Sequence, residues 1–523
     1  MNQKFKKIAA IVSVAAMVTA FAAGCGEKDN DSSTASSTSA AASSVSSISG
    51  KEKPFTITML NQTFGDTPTS DNRIWKAIEA ATNTKLDITW VPSASYQERF
   101  LAVVASGEMP MTMLVTDDKN SSYVNALKYE AFWEIGPYLK DCPNLSAITS
   151  GMWDNAKYNG KNYLVARWRP LARSGILYRK DWADAAGLKE PTNTEELYNM
   201  IKTFATGDFD KNGKVDTIGF VLDTNTGKYE NDTIAYIASV FGASSAWGAD
   251  ANGKIIPNYA EPEFLDALKW LRKLYSEKLM NQDFAMLPNS KIQFSKGNTG
   301  IFGNMSDDIR SPEVSVDLPK NAPGAQIGVL NKLTGPKGVR SAAAGNGYYG
   351  GFVIPKSAVK NEADVKKIMA FFDQLAGKDM MNLLQYGEKD TDYTLQGNVA
   401  SQTADQKNKF VKDLASLGQL QMGVNAGSSK VTYDPANPLD VQVNEMWGET
   451  EKTVVLNPVA PFISDTWTSK SADLLKIKGD AIVKFIMGAI DEKGYNDAIK
   501  QWYAAGGDKV CEEYTAQYNA AKK

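Results

Sequence analysis

The chain has 523 residues, 57 basic against 60 acidic side chains, a formal net charge of −3 and no histidine. Its 43% apolar and 22% charged content is ordinary for a globular protein, and its length exceeds one ordinary core, so two domains are expected. Without imidazole, Ser-His-Asp and Cys-His catalysis and histidine-ligated zinc are excluded; the acidic balance argues against nucleic acid, which calls for a basic patch.

Lys4, Lys6 and Lys7 precede the apolar run from Ile8 to Ala23. A run that short, followed by small residues, reads as a cleaved leader rather than a spanning helix. Ala22-Ala23-Gly24-Cys25 resembles the lipobox of bacterial lipoproteins, with Ala22 where Leu is usual. The resemblance implies that residues 1–24 are a signal peptide and that Cys25 carries the lipid; the alternative is a soluble secreted protein cut nearby. Losing three lysines and no acid moves the net charge to about −6. Residues 25–53 read as a flexible tether, because Ser, Ala, Thr and Asp cannot bury enough apolar surface to offset ordering entropy. The folded part begins near Lys53, and no later apolar run reaches membrane-spanning length.

Phe55–Leu60 alternates like a strand, and Ile74–Ala81 carries Ile74, Ala77, Ile78 and Ala81 at helical spacing. Leu86–Val91 is a second strand, Tyr96–Ser106 a second helix, and Met111–Val115 a third strand. Alternating strands and helices imply a mainly parallel α/β sheet, with ligands beyond the carboxyl ends of its strands. Those ends are Asn61–Asp66, Pro92–Tyr96 and Thr116–Asp118. Gly175–Tyr178 is a short strand and Trp182–Ala186 a helical turn stopped at Gly187. Thr192 and Glu195 form a capping box at a helix start. Glu261-Pro262 opens a further helix, and Phe352–Pro355 is extended before a helix through Val365 and Phe372.

Several fragments then fall into a known order. They are Tyr158-Asn159-Gly160-Lys161 before Tyr163, Leu177-Tyr178-Arg179-Lys180-Asp181-Trp182, Gly187-Leu188-Lys189, and Pro191-Thr192-Asn193 before Glu195-Glu196-Leu197. The stretch Trp247–Phe284, the step Lys296-Gly297 before Ile301-Phe302, and Gly350–Ala358 continue it. Together they resemble the family 1 extracellular solute-binding proteins, above all the large Gram-positive branch that includes LplA-type lipoproteins, from about Pro54 to the C-terminus. The resemblance implies a two-lobed, periplasmic-binding-protein-like type II α/β fold, each lobe a mixed sheet flanked by helices. It places lobe 1 at 54–168 and 309–375, and lobe 2 at 169–308 and 376–523. Crossings would fall near Arg167–Arg173, Asp307–Pro312 and Leu375–Asp379. It further implies a monomer on the outer face of the cell membrane, not an enzyme, capturing a carbohydrate, usually an oligosaccharide, for the permease subunits of an ABC importer.

Asp208, Asp210, Asn212, Gly213 and Asp216 occupy the first, third, fifth, sixth and ninth places of an EF-hand-type loop, with the Lys214 carbonyl at the seventh. Alternate hard oxygens around a sharp glycine turn suit a structural Ca2+, although Gly219 stands where a bidentate Glu is usual. Alginate-binding members of the family are similar here and hold calcium. An Asx-type turn is the alternative.

A sugar site combines aromatic faces with a few polar groups. Trp168 between Arg167 and Arg169 lies at the first crossing, and paired guanidiniums suit a polar or acidic glycan. Trp247, Tyr348 with its neighbour Tyr349, and Trp467 are further aromatic candidates, and Asp66, Asp117 and Asp307 candidate hydroxyl acceptors, whereas Trp182 and Trp270 are expected in cores. Cys142 and Cys511 are either a disulfide or two thiols. The rival functions are a secreted carbohydrate-active enzyme, for which no carboxylate pair stands out, and a surface adhesin or sensor accessory lipoprotein.

Overall fold

The computed structural model describes residues 53–522 except 65, 149, 224–232, 339–343, 398 and 424–437. The expected signal peptide, Cys25 and nearly all of the tether lie outside the described residues.

In chain order the two principal sheets use β1 (Phe55–Thr63), β2 (Thr84–Pro92), β3 (Thr112–Val115), β4 (Val165–Trp168), β5 (Ser174–Arg179), β6 (Ile218–Val221), β7 (Thr299–Met305), β8 (Ile327–Leu330) and β9 (Tyr348–Val353). The first sheet runs β2-β1-β3-β9-β4 and the second β8-β5-β7-β6. β1 pairs in parallel with β2 (Ile57 opposite Leu86) and with β3 (Met59 opposite Thr112). β9 is antiparallel to β3 and to β4, so its first residues lie at the carboxyl edge of the parallel strands. The alternation of β1 gives way to a continuous buried run from Met59 to Thr63, as expected of a strand with neighbours on both sides.

The expected helices form with caps that explain their limits. Asn72 accepts the Ile74 and Trp75 amides at 2.8 and 3.1 Å, and Asn83 ends that helix in a left-handed turn. At the next predicted cap the structure moves the box by one residue. Asn193, not Thr192, accepts the Glu195 and Glu196 amides, and Glu196 reaches back to the Thr192 amide at 2.8 Å. Asn193 is the better cap and takes the position.

The second sheet separates two cores by strand parity. Ile176, Tyr178, Phe220 and Ile301 face one core, with Leu268, Phe485 and Trp502. Leu177, Val221, Phe302 and Val329 face the other, which runs on through Trp447 to the whole first sheet. Two segments depart from the expected lobes. Ile327–Leu330 was expected with lobe 1, yet β8 pairs with β5 in the second sheet. Met381, Leu384, Phe410 and Leu420 were expected with lobe 2, yet they pack in the first core.

The chain therefore passes between the sheets at 169–173, again between Leu330 and Tyr348, and passes to the second core at 451–464. These passages are laced together around Leu171. Its amide donates to Glu451 Oε1 at 3.2 Å, its carbonyl accepts the Gly345 amide at 2.8 Å, and the Ala344 amide donates to the Val455 carbonyl at 3.0 Å. Cys142 is buried in the first core and Cys511 in the second, both as free thiols, with burial pushing their pKa values up to about 11 and about 12. Among the described residues, no helix is long and apolar enough to cross a membrane.

Candidate functional site

The carboxyl edge of the first sheet collects the side chains with chemistry to offer. β1 ends at Thr63, whose hydroxyl hydrogen-bonds Ser416, and the next residue, Phe64, is 63% exposed. Asp66 and Asp117 are exposed on the loops after β1 and β3; Asp117 accepts the Lys119 amide at 3.0 Å. Lys119 itself donates to the Ala460 and Phe462 carbonyls at 3.0 and 3.1 Å, reaching the chain that leads into the second core.

Strand parity decides which way the Arg-Trp-Arg triplet divides. Trp168 is 1% exposed, its amide bonded to the Met422 carbonyl at 2.8 Å. Its ring lies against Gly423, where a Cβ would come within 1.9 Å of it. The expected stacking aromatic is thus a core residue. Arg167, on the opposite face, is 2% exposed and sits with its guanidinium 5.5 Å from the centre of the Tyr349 ring. It donates to the Tyr349 carbonyl at 3.1 Å, and to the Gln419 carbonyl and Oε1 at 3.1 and 3.3 Å. Arg169 is partly buried and donates to the Trp168 carbonyl at 2.7 Å. Burial pushes the Arg167 pKa down to about 10; burial, then the Arg173 and Arg167 charges, depress that of Arg169.

The same parity exchanges the two tyrosines. Tyr348, the expected ligand residue, pairs opposite Trp168 and donates its hydroxyl to Asp118 at 2.5 Å; burial and that carboxylate push its pKa up. Tyr349 is half-exposed on the Arg167 side and takes the place the sequence suggested for Trp168. The approach is tight enough to require glycine next in the chain: Gly350 has φ +61°, and a Cβ there would lie 2.2 Å from the Val115 carbonyl. Of the two tyrosines the sequence offers, Tyr349 is the one on the ligand side, and Phe64 is a functional candidate that the sequence reading does not reach. The signal available was position: both stand at a strand's ligand-facing end.

Asp307 is not a free acceptor, because both its oxygens are taken by Arg173, at 2.8 Å each. Burial alone would raise its pKa, but the Arg173 charge and bonds, with Arg310 and Arg169, hold it at about 2. Trp247 and Trp467 meet one another edge to face at 5.8 Å, but in the second core, where Trp247 also packs on Trp502 and Tyr514. Trp247 is buried there and Trp467 partly so.

The expected calcium loop is fixed by its own hydrogen bonds. Asp208 accepts the Asn212 and Gly213 amides at 3.0 Å, and the Lys214 amide donates to Asn212 Oδ1 at 2.8 Å. Asn212 Nδ2 donates to Asp210 at 3.1 Å and to Asp216 at 2.9 Å, so these carboxylates converge on one point. Among the described residues, no group of three or more Cys, Asp or Glu side chains is assembled to hold a metal ion. Gly219 cannot supply a twelfth ligand, because it belongs to β6 and a Cβ there would strike the Ile201 and Leu279 carbonyls. Phe209 anchors the loop, stacked on Trp182 at 5.5 Å.

Comparison with known proteins gives a concordant result. The family model for bacterial extracellular solute-binding protein matches residues 65–382. The chain is 34% identical over 483 residues to the polygalacturonan/rhamnogalacturonan-binding protein YtcQ of Bacillus subtilis, covering 92% of this chain and 94% of that one. It is 33% identical over 462 residues to lipoprotein LipO of the same organism, covering 87% and 91%. Among solved structures it resembles the EF-hand mutant of the Streptococcus pneumoniae ABC-transporter substrate-binding protein FusA, in complex with fructo-nystose. That match has a TM-score of 0.64 at 16% identity and covers 89% of this chain and 99% of that one, and it shows a shared fold.

Proposed function

We propose a function from one premise: this chain belongs to the bacterial extracellular solute-binding protein family. It captures a carbohydrate, an oligosaccharide, at the carboxyl edge of the first sheet and delivers it to the permease of an ABC importer. The observation that carries this reading is Tyr349, a half-exposed ring beside Arg167 at an edge whose loops also carry exposed Phe64, Asp66 and Asp117. An aromatic face beside a few polar groups is what a pyranose asks of a protein. The names of the relatives support the same class. Lobes built around the two sheets would close on the ligand by a hinge at the laced passages.

The test is calorimetry and small-angle scattering of the folded chain with a panel of oligosaccharides. Binding with compaction, lost in Tyr349→Ala, is expected. A panel that changes neither heat nor scattering overturns the reading, and released product would make the protein an enzyme.

Two finer features belong to the same reading. Lipid on Cys25 would hold the protein at the outer face of the membrane; LipO, a relative, is named a lipoprotein. Labelling with a fatty-acid analogue, abolished by Cys25→Ser, is the check. Calcium would take the point where Asp210 and Asp216 converge, with the Asn212 amide turned so that its oxygen faces the ion. Asp208 and the Lys214 carbonyl would complete an oxygen set whose role is structural.

A further inference from the structure

We infer that Arg167 and Arg169 take a carboxylate of the ligand, so that the saccharide captured is an acidic one carrying uronate residues. This rests on the carbohydrate reading and adds the ligand's charge to it.

The junction of the sheets carries Arg167, Arg169, Arg173, Arg310 and Lys291. Three of these have their own acids: Arg173 has Asp307, Lys291 has Asp308 at 2.6 Å, and Arg310 has Asp440. Among the described residues, Arg167 and Arg169 pair with no carboxylate. Arg167 spends its bonds on neutral acceptors, and its Nη2 is buried with no hydrogen-bond partner. Among the described residues, the Arg169 guanidinium bonds only the carbonyl of its neighbour, and its Nε is likewise buried and unpartnered.

A guanidinium keeps its proton in proteins, so burial cannot be relieved by neutralisation. Two such charges side by side, each with a covered N–H directed at nothing, are costly until an anion arrives. A carboxylate suits them because its two oxygens match a guanidinium fork. The Tyr349 ring, 5.5 Å from Arg167, is half-exposed beside the same pair. An aromatic face next to carboxylate-seeking donors is the complement of a uronate, whose ring stacks while its C6 carboxylate is held.

The experiment titrates the full chain with a galacturonate trimer, its methyl ester and inorganic phosphate alone. Esterification removes the charge and keeps the size and hydroxyls. The acid should bind at least about tenfold more tightly than the ester, the usual scale of a charge-assisted bond. Arg169→Gln should reduce the acid to the ester's affinity while changing the ester less than about twofold, and Arg169→Lys should restore part of the difference. Equal binding of acid and ester by the unmodified protein overturns the inference and leaves the carbohydrate reading intact; this arm needs no variant to fold. Arg169→Gln weakening both alike also overturns it. Phosphate binding in competition with no saccharide assigns the arginines to a free anion, and failure of both trimers overturns both readings.

Discussion

Arg173 grips Asp307 as a fork, Nε on Oδ1 and Nη2 on Oδ2, each at 2.8 Å. The pair ties the first passage between the sheets to the residues that follow β7. It also gives the cluster of guanidiniums one of its fixed counter-charges.

Removing that counter-charge should be costly. Asp307→Asn should lower stability at neutral pH by about 2–3 kcal/mol, since it leaves Arg173 without its charged partner. The pH dependence has a definite sign. The folded-state pKa, about 2, lies below the ordinary 3.8, so the stabilisation is complete above pH 4 and fades as pH falls toward 2. Thermal melts of both proteins from pH 6 to pH 2 should converge in that window; a constant gap would refute the assignment.

Trp168 and Tyr349 should separate stability from binding. Trp168→Ala opens a cavity beneath Gly423 and should cost about 3–5 kcal/mol of folding stability. Tyr349→Ala removes a half-exposed ring and should leave the melt within about 1 kcal/mol of the parent, yet abolish most saccharide binding. The opposite pattern in paired denaturation and calorimetry would return Trp168 to the site.

Lys119 should favour the closed arrangement. Its bonds to the Ala460 and Phe462 carbonyls join the first sheet's carboxyl edge to the chain entering the second core. Lys119→Met should weaken ligand affinity about threefold to tenfold, because closure then gains less per event. Scattering of the ligand-free variant should show a larger radius of gyration than the parent. An unchanged radius and affinity would make the lysine a bystander.

Calcium should raise the melting temperature and be felt at Trp182. Phe209 lies in the loop and stacks on that indole, so ordering the loop should alter its fluorescence. Asp210→Ala should erase both responses. A parent melt indifferent to chelator would dismiss the metal.

Much of the first sheet was legible in the sequence, because β1 to β3 and their helices obey simple periodicities. The direction of side chains at the site was not. Arg167, Trp168 and Arg169 look like one cluster in sequence, yet a strand sends alternate residues to opposite faces, so the tryptophan left the arginines and Tyr349 joined them. Trp247 and Trp467 misled for another reason: their polar surroundings read as loops, yet Trp247 opens a short strand and Trp467 lies in the first turn of a helix, both against an aromatic core. The lobes were harder still. β8 enters the second sheet, and Met381, Leu384, Phe410 and Leu420 stay in the first core, long-range choices that no local pattern encodes.

The lacing around Leu171 has a mechanical consequence. A single covalent link would let two bodies swivel and tilt freely, whereas three passages tied side by side would act like the leaves of a door hinge. Twist about the long axis would be resisted, leaving one angle of travel. On the proposed importer function, a receptor so restrained would present the same face at every closure, so that a permease could distinguish loaded from empty by geometry alone.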